Sequence, residues 1–105
     1  MLHNMDYEYI DHATTGQLID FWKHFRAAFR AQGASSPIDL TDPEFFYCVV
    51  VAAVRAKWFT GSKSERPELD AVRDWSLDEL EEVAAPVWEV YLASSKKMDD
   101  EEKNS

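Results

Sequence analysis

With 105 residues, 46% of them apolar and 13% aromatic, the chain suits one folded domain and leaves little room for a second core. The net charge of −9 is uneven: residues 1–64 hold seven acidic and six basic side chains, residues 65–105 thirteen acidic and five basic. A phosphate backbone would be repelled by that second part, so direct nucleic-acid binding is not expected.

The start of the chain, Met1 to Glu8, has no basic region followed by an apolar core, and so does not read as a secretory signal. The longest apolar run, Phe45 to Val54, covers ten residues, whereas a membrane-spanning helix needs about 20. A cytoplasmic, membrane-free protein is expected.

Helix signals recur along the chain and alternating strand patterns do not. Residues 1–13 read as an extended lead in which Tyr7, Tyr9 and Ile10 can dock on the domain. A first helix over 14–32 opens on the capping-box spacing of Thr14 and Gln17. Leu18, Phe21, Trp22, Phe25, Ala28 and Phe29 then form one apolar stripe, with Asp20, Lys23, Arg26 and Arg30 opposite. Gly33 supplies the left-handed residue that ends such a helix. The Lys23, Arg26 and Arg30 cluster complements the negative end of the helix dipole, and is the one local candidate for a phosphate contact.

A second helix over 43–60 is expected to start at Pro43 with Asp42 as its N-cap, and to stop before Gly61. It is apolar on nearly all sides, which places it at the centre of a bundle. A polar connection over 60–66 precedes a short helix over 67–74 that carries Leu69 and Val72 inward. The last long helix, over 76–95, opens on a capping box of Ser76 and Glu79, with Trp75 placed to staple onto Leu80. Its core stripe is Leu77, Leu80, Val83, Ala84, Val87, Trp88 and Tyr91, and Pro86 should kink it near Glu82. Residues 96–105 read as a disordered charged tail beyond a single helical domain over 1–95. The fold class is therefore all-α: a small bundle of three main helices plus one short helix.

Catalytic, cofactor and metal sites are not expected. The three glycines stand alone at 16, 33 and 61, so no phosphate loop forms. His3, His12 and His24 lack the spacing of a helical zinc site, and the single cysteine, Cys48, sits in an apolar run as a buried thiol. Recognition is signalled instead by the four tryptophans, some of which can reach the surface, and by the acidic final third. The expected protein-binding residues are Trp75 at the entrance of the last helix and Asp78, Glu81, Glu82 and Glu89 on its outer face.

Over residues 42–97 an apolar helix, a polar loop, an acidic helix introduced by Ser76-Leu77-Asp78-Glu79-Leu80 and a charged tail resemble the organisation of small phage tail assembly chaperones. That resemblance implies an all-α, non-enzymatic protein of the host cytoplasm that binds tape-measure and tail-tube proteins during virion assembly. The N-terminal hairpin of some members is not evident here. A rival reading is a phage-encoded inhibitor of a host defence nucleoprotein, of the anti-CRISPR or DNA-mimic kind, presenting Asp70, Asp74, Asp78, Glu81 and Glu82 to a basic partner. A third is a structural subunit of a larger assembly, in which homo-oligomer formation would matter.

Overall fold

The computed structural model of the chain describes residues 7–61 and 66–103, with side chains through Lys96. Among these residues the elements are α1 (Thr15–Ala31), a 3-10 turn (Pro37–Asp39), α2 (Asp42–Arg55), α3 (Leu69–Val72) and α4 (Leu77–Lys103), with no strand.

The cap residues bound α1 as the sequence predicts. The Thr14 side chain accepts from the Gln17 N–H, and the Gln17 side chain accepts in return from the Thr14 N–H at 2.9 Å. At the other end Gly33 has φ of 85°. It donates to the Arg30 carbonyl at 2.9 Å while Ala34 donates to Phe29 at 3.1 Å, so two carbonyls the helix would otherwise leave open are paired. Leu18, Phe21, Phe25, Ala28 and Phe29 are buried, and Asp20, Lys23, Arg26 and Arg30 are exposed.

Both ends of α2 correct the sequence reading. Its N-cap is Thr41, not Asp42: the Thr41 side chain accepts from the Glu44 N–H, and Glu44 Oε1 accepts from the Thr41 N–H at 2.9 Å. Pro43 thereby falls at the second helical position, where its missing N–H is one the helix could not have used. The helix also stops at Arg55, five residues short of the expected 60. Lys57 enters the left-handed region at φ of 63°, donating to the Val54 carbonyl at 3.1 Å while Trp58 donates to Ala53 at 2.9 Å. The hydrogen bonds match those that Gly33 organises at the end of α1, but here a residue with a Cβ holds the strained position.

That early stop frees Trp58 and Phe59 to turn into the core, where they are 1% and 3% exposed. It also exposes their backbone to the N-terminal lead. Ile10 donates to the Trp58 carbonyl and Thr60 donates to the Glu8 carbonyl, both at 2.9 Å, around an antiparallel bridge of Tyr9 with Phe59. The lead is thus pinned by backbone bonds, with Tyr7 and Tyr9 edge-on to the Phe59 ring.

From Cys48 to Ala53 every residue of α2 is buried, because α2 lies between α1 and α4, whose backbones stay apart and meet chiefly through aromatic side chains. Leu80, Val83, Ala84 and Val87 of α4 close the core from the other side, and Val72 of α3 fills in below. Trp88 packs among Phe21, Phe25, Phe45 and Tyr91, with ring centroids 5.0 to 6.3 Å away. Two positions depart from the predicted stripe: Leu77 is 46% exposed, and Ser94 is buried. Ser94 Oγ accepts from the Ala13 N–H at 3.1 Å, which ties the lead to the far part of α4. The short helix spans only Leu69–Val72 instead of 67–74. Within 60–66, residues 62–65 lie outside the described residues. Of the segment expected as a tail, the backbone continues as helix through Lys103, and side chains beyond Lys96 lie outside the described residues.

Candidate protein-binding groove

The start of α4 is set by its cap. The Ser76 N–H donates to Glu79 Oε1 at 3.1 Å and the Glu79 N–H donates to Ser76 Oγ at 3.2 Å, which is the reciprocal pair its spacing predicts. This fixes where Trp75 leaves the chain. Trp75 is half-buried, not exposed as the sequence reading has it, because its ring stacks on Tyr7 at 6.1 Å with 19° between the planes. The lead therefore buttresses one face of this indole.

The remaining surface of Trp75 belongs to a groove of about 240 Å³, bounded also by Gln32, Pro43, Glu44, Tyr47, Val72, Arg73, Leu77 and Leu80. Its floor is the buried pair Val72 and Leu80, and Tyr47 and Trp75 form half-buried aromatic walls. Leu77 lies at the mouth. It is the first residue of α4 and lines the groove together with Pro43 and Glu44 of the first turn of α2 and Val72 and Arg73 at the end of α3. Sequence periodicity places Leu77 on the core stripe, and the structure corrects this: at the first residue of α4, beside the start of α2, its side chain is exposed. Gln32, Glu44, Tyr47 and Arg73 are the groove residues that sequence reasoning did not single out, and Val72 is expected from sequence only as an inward-facing residue.

The groove lining holds one acid, Glu44, and one base, Arg73, and further exposed carboxylates adjoin it in the chain. Asp78, Glu81 and Glu82 are exposed as expected, and so are Asp70 and Asp74 on the approach. At about 100° per helical residue, Asp78, Glu82 and Glu89 share one face, while Glu81 is turned toward Leu77, its neighbour four residues back. Glu89 is exposed too, but lies seven residues beyond Glu82, roughly 10 Å along the axis, and does not join the groove. Glu44 at the opposite rim is held below the usual carboxylate range by its bonds to the Thr41 backbone N–H and hydroxyl. Arg73 is the cation in the lining, and its guanidinium lies over the Tyr47 ring at 5.8 Å.

A second, shallower cleft of about 250 Å³ between α1 and α4 is lined by Thr15, Leu18, Ile19, Trp22, Lys23, Tyr91 and Ser95. Trp22, placed on the core stripe by periodicity, is 36% exposed there, and Ile19 is 55% exposed. Cys48 is fully buried, and burial with the nearby Glu44 charge pushes its thiol pKa up to about 11. Such a thiol is a poor nucleophile at neutral pH. Among the described residues no cluster of His, Cys, Asp and Glu is arranged to hold a metal ion, and no helix is long and apolar enough to cross a membrane. Comparison of the chain with protein-family models, with curated proteins and with solved structures gives no match.

Proposed function

We propose that the chain is a non-enzymatic protein-binding protein whose contact surface is the groove at the start of α4 with its acidic flank, and that it acts as an assembly chaperone of the phage-tail type on tape-measure and tail-tube proteins. The observation that carries this reading is the exposed Leu77 beside a groove with aromatic walls and an apolar floor, since a chaperone for an apolar client has to offer apolar area that its own fold leaves uncovered. The organisation of residues 42–97, which resembles that chaperone family, supports the same reading.

Co-expression with the tape-measure protein of the same genome tests it. The client should remain soluble and co-purify with the wild-type chain, and should precipitate alongside Leu77→Glu. A client that stays equally soluble with the variant, or is never recovered with the chain, rejects the chaperone role.

One further reading is favoured by the exposed carboxylates Asp70, Asp74, Asp78, Glu81 and Glu82, which is inhibition of a basic host nucleoprotein. That function would depend on the carboxylates and be indifferent to Leu77, so the same variant separates the two.

A further inference from the structure

We infer that the occupant of the groove is one face of a basic amphipathic helix presented by a partner protein, an assignment that rests on the reading of the groove as the contact surface. Three observations lead to it. The first is size. At about 240 Å³ the groove falls below the roughly 300–1,000 Å³ of pockets that enclose a small-molecule ligand, and suits one or two anchoring side chains of a larger partner.

The second is the chemistry of the walls. Val72, Leu80, Tyr47, Trp75 and Leu77 present side chains from helices and a cap, so there is no strand edge here whose backbone an extended peptide could pair with. Gln32, Glu44 and Arg73 complete the lining, so recognition combines apolar anchors with flanking polar groups, as it does where an amphipathic helix lays successive anchors into a groove.

The third is charge. Glu44 and Arg73 are the charged residues of the lining, with Arg73 already placed over Tyr47, and the exposed Asp74, Asp78 and Glu81 adjoin Trp75 and Leu77 in the chain or one helical turn on. Acidic residues in the first turn of a helix have a local purpose, because they complement its dipole, and that accounts for Asp78 and Glu79. The dipole effect fades beyond that turn, so it does not account for Glu81 and Glu82. Lysine and arginine flanking the apolar anchors of the partner helix answer Glu44, Asp74, Asp78 and Glu81, whereas Glu82, about 140° round α4 from Leu77, contributes only to the wider acidic field.

A displayed library of helix-forming peptides of about 18 residues, long enough to be helical when bound, is selected against the full chain. Library positions vary among apolar, basic, acidic and neutral polar residues. The expected winners carry apolar residues at i, i+3 or i+4, and i+7, with Lys or Arg beside them. In amide and indole NMR spectra the winning peptide should shift Tyr47, Trp75, Leu77 and Leu80. Leu77→Glu, a change at an exposed site, should weaken its binding by about tenfold or more. The combined Asp78→Asn, Glu81→Gln, Glu82→Gln variant should weaken it severalfold and flatten its salt dependence. Winners that shift the same residues but carry no excess of basic residues, and bind the neutralised variant as well as wild type, would overturn the basic helix while keeping the groove. Absence of winners, or shifts confined to other surfaces, would overturn the groove reading as well. Peptide-free shifts of Trp75 and Leu77 that grow with protein concentration and vanish in Leu77→Glu would put a second copy in the groove, and so reject the proposed occupant.

Discussion

The buried Ser94 hydroxyl oxygen accepts the Ala13 backbone N–H across 81 positions of sequence, which joins the end of the N-terminal lead to the last third of the fold. The Ala13 N–H lies just before the Thr14 cap and outside α1, so it has no helical carbonyl to use. Replacing Ser94 by Ala should strand this donor in a buried place and cost about 1–3 kcal/mol, read as a lower midpoint in urea with an unchanged slope. A Thr at this position should recover part of the loss. A Ser94→Ala midpoint indistinguishable from wild type would show that the bond contributes nothing.

The ends of α1 and α2 use the same hydrogen-bond pattern with different residues in the left-handed position, and this sets up an opposed pair of predictions. Lys57→Gly removes the clash of a Cβ at φ of 63° and should stabilise the protein by roughly 0.5–1 kcal/mol. Gly33→Ala introduces that clash and should destabilise it by about 1 kcal/mol. A Cβ at Gly33 meets no atom within 4 Å, so this cost is conformational and not steric crowding by neighbours. Thermal melts of the two variants should move in opposite directions, and movement in the same direction refutes the shared mechanism.

These helix ends also show what the sequence makes legible. Thr14 with Gln17 and Ser76 with Glu79 act over three residues, so the pattern alone locates both helix starts. Thr41 with Glu44 carries the same signal, but Pro43 draws attention to Asp42 and shifts the start by one residue. The end of α2 is not legible. Lys57 has no preference for its conformation, and is held there because Trp58 and Phe59 are buried and their backbone pairs with residues 8–10. The core of α2 follows from its composition, whereas the groove depends on where the start of α2 lies relative to Leu77 and on Tyr7 reaching Trp75. Those are tertiary relationships that helical periodicity does not encode.

Burial of Cys48 has a consequence for alkaline stability. Its thiol ionises at about 11 in the folded protein, against an ordinary value of 9.0, because burial and the Glu44 charge disfavour the thiolate. The raised folded value means that the unfolded chain loses this proton first. The contribution is therefore fully present below pH 9 and is lost as pH rises through 11. Denaturation measured from pH 8 to 11 should show wild-type stability falling more steeply than that of Cys48→Ala, whose smaller core side chain shifts the curve without adding a slope of its own. Parallel curves would remove Cys48 as the cause. A thiol reagent at neutral pH should react with Cys48 only as fast as the protein opens.

The carboxylates of α4 have to be separated into those that hold the helix and those that face a partner. Asp78 lies in the first turn, where its charge meets the positive end of the dipole, and Asp78→Asn alone should lower stability by about 0.3–1 kcal/mol. Glu81 and Glu82 are exposed and lie beyond that turn. Glu81→Gln and Glu82→Gln should stay within about 0.5 kcal/mol of wild type, or gain slightly, because they relieve repulsion in the more acidic part of the chain. The combined variant should consequently melt close to Asp78→Asn. Any loss of partner binding beyond what Asp78→Asn produces then reports direct contact, not unfolding, and it should shrink at high salt, where the wild-type attraction is itself screened. If Glu81→Gln and Glu82→Gln instead lower the melting temperature as much as Asp78→Asn does, these carboxylates serve the helix, and the acidic flank of the groove has no separate role to be explained by a partner.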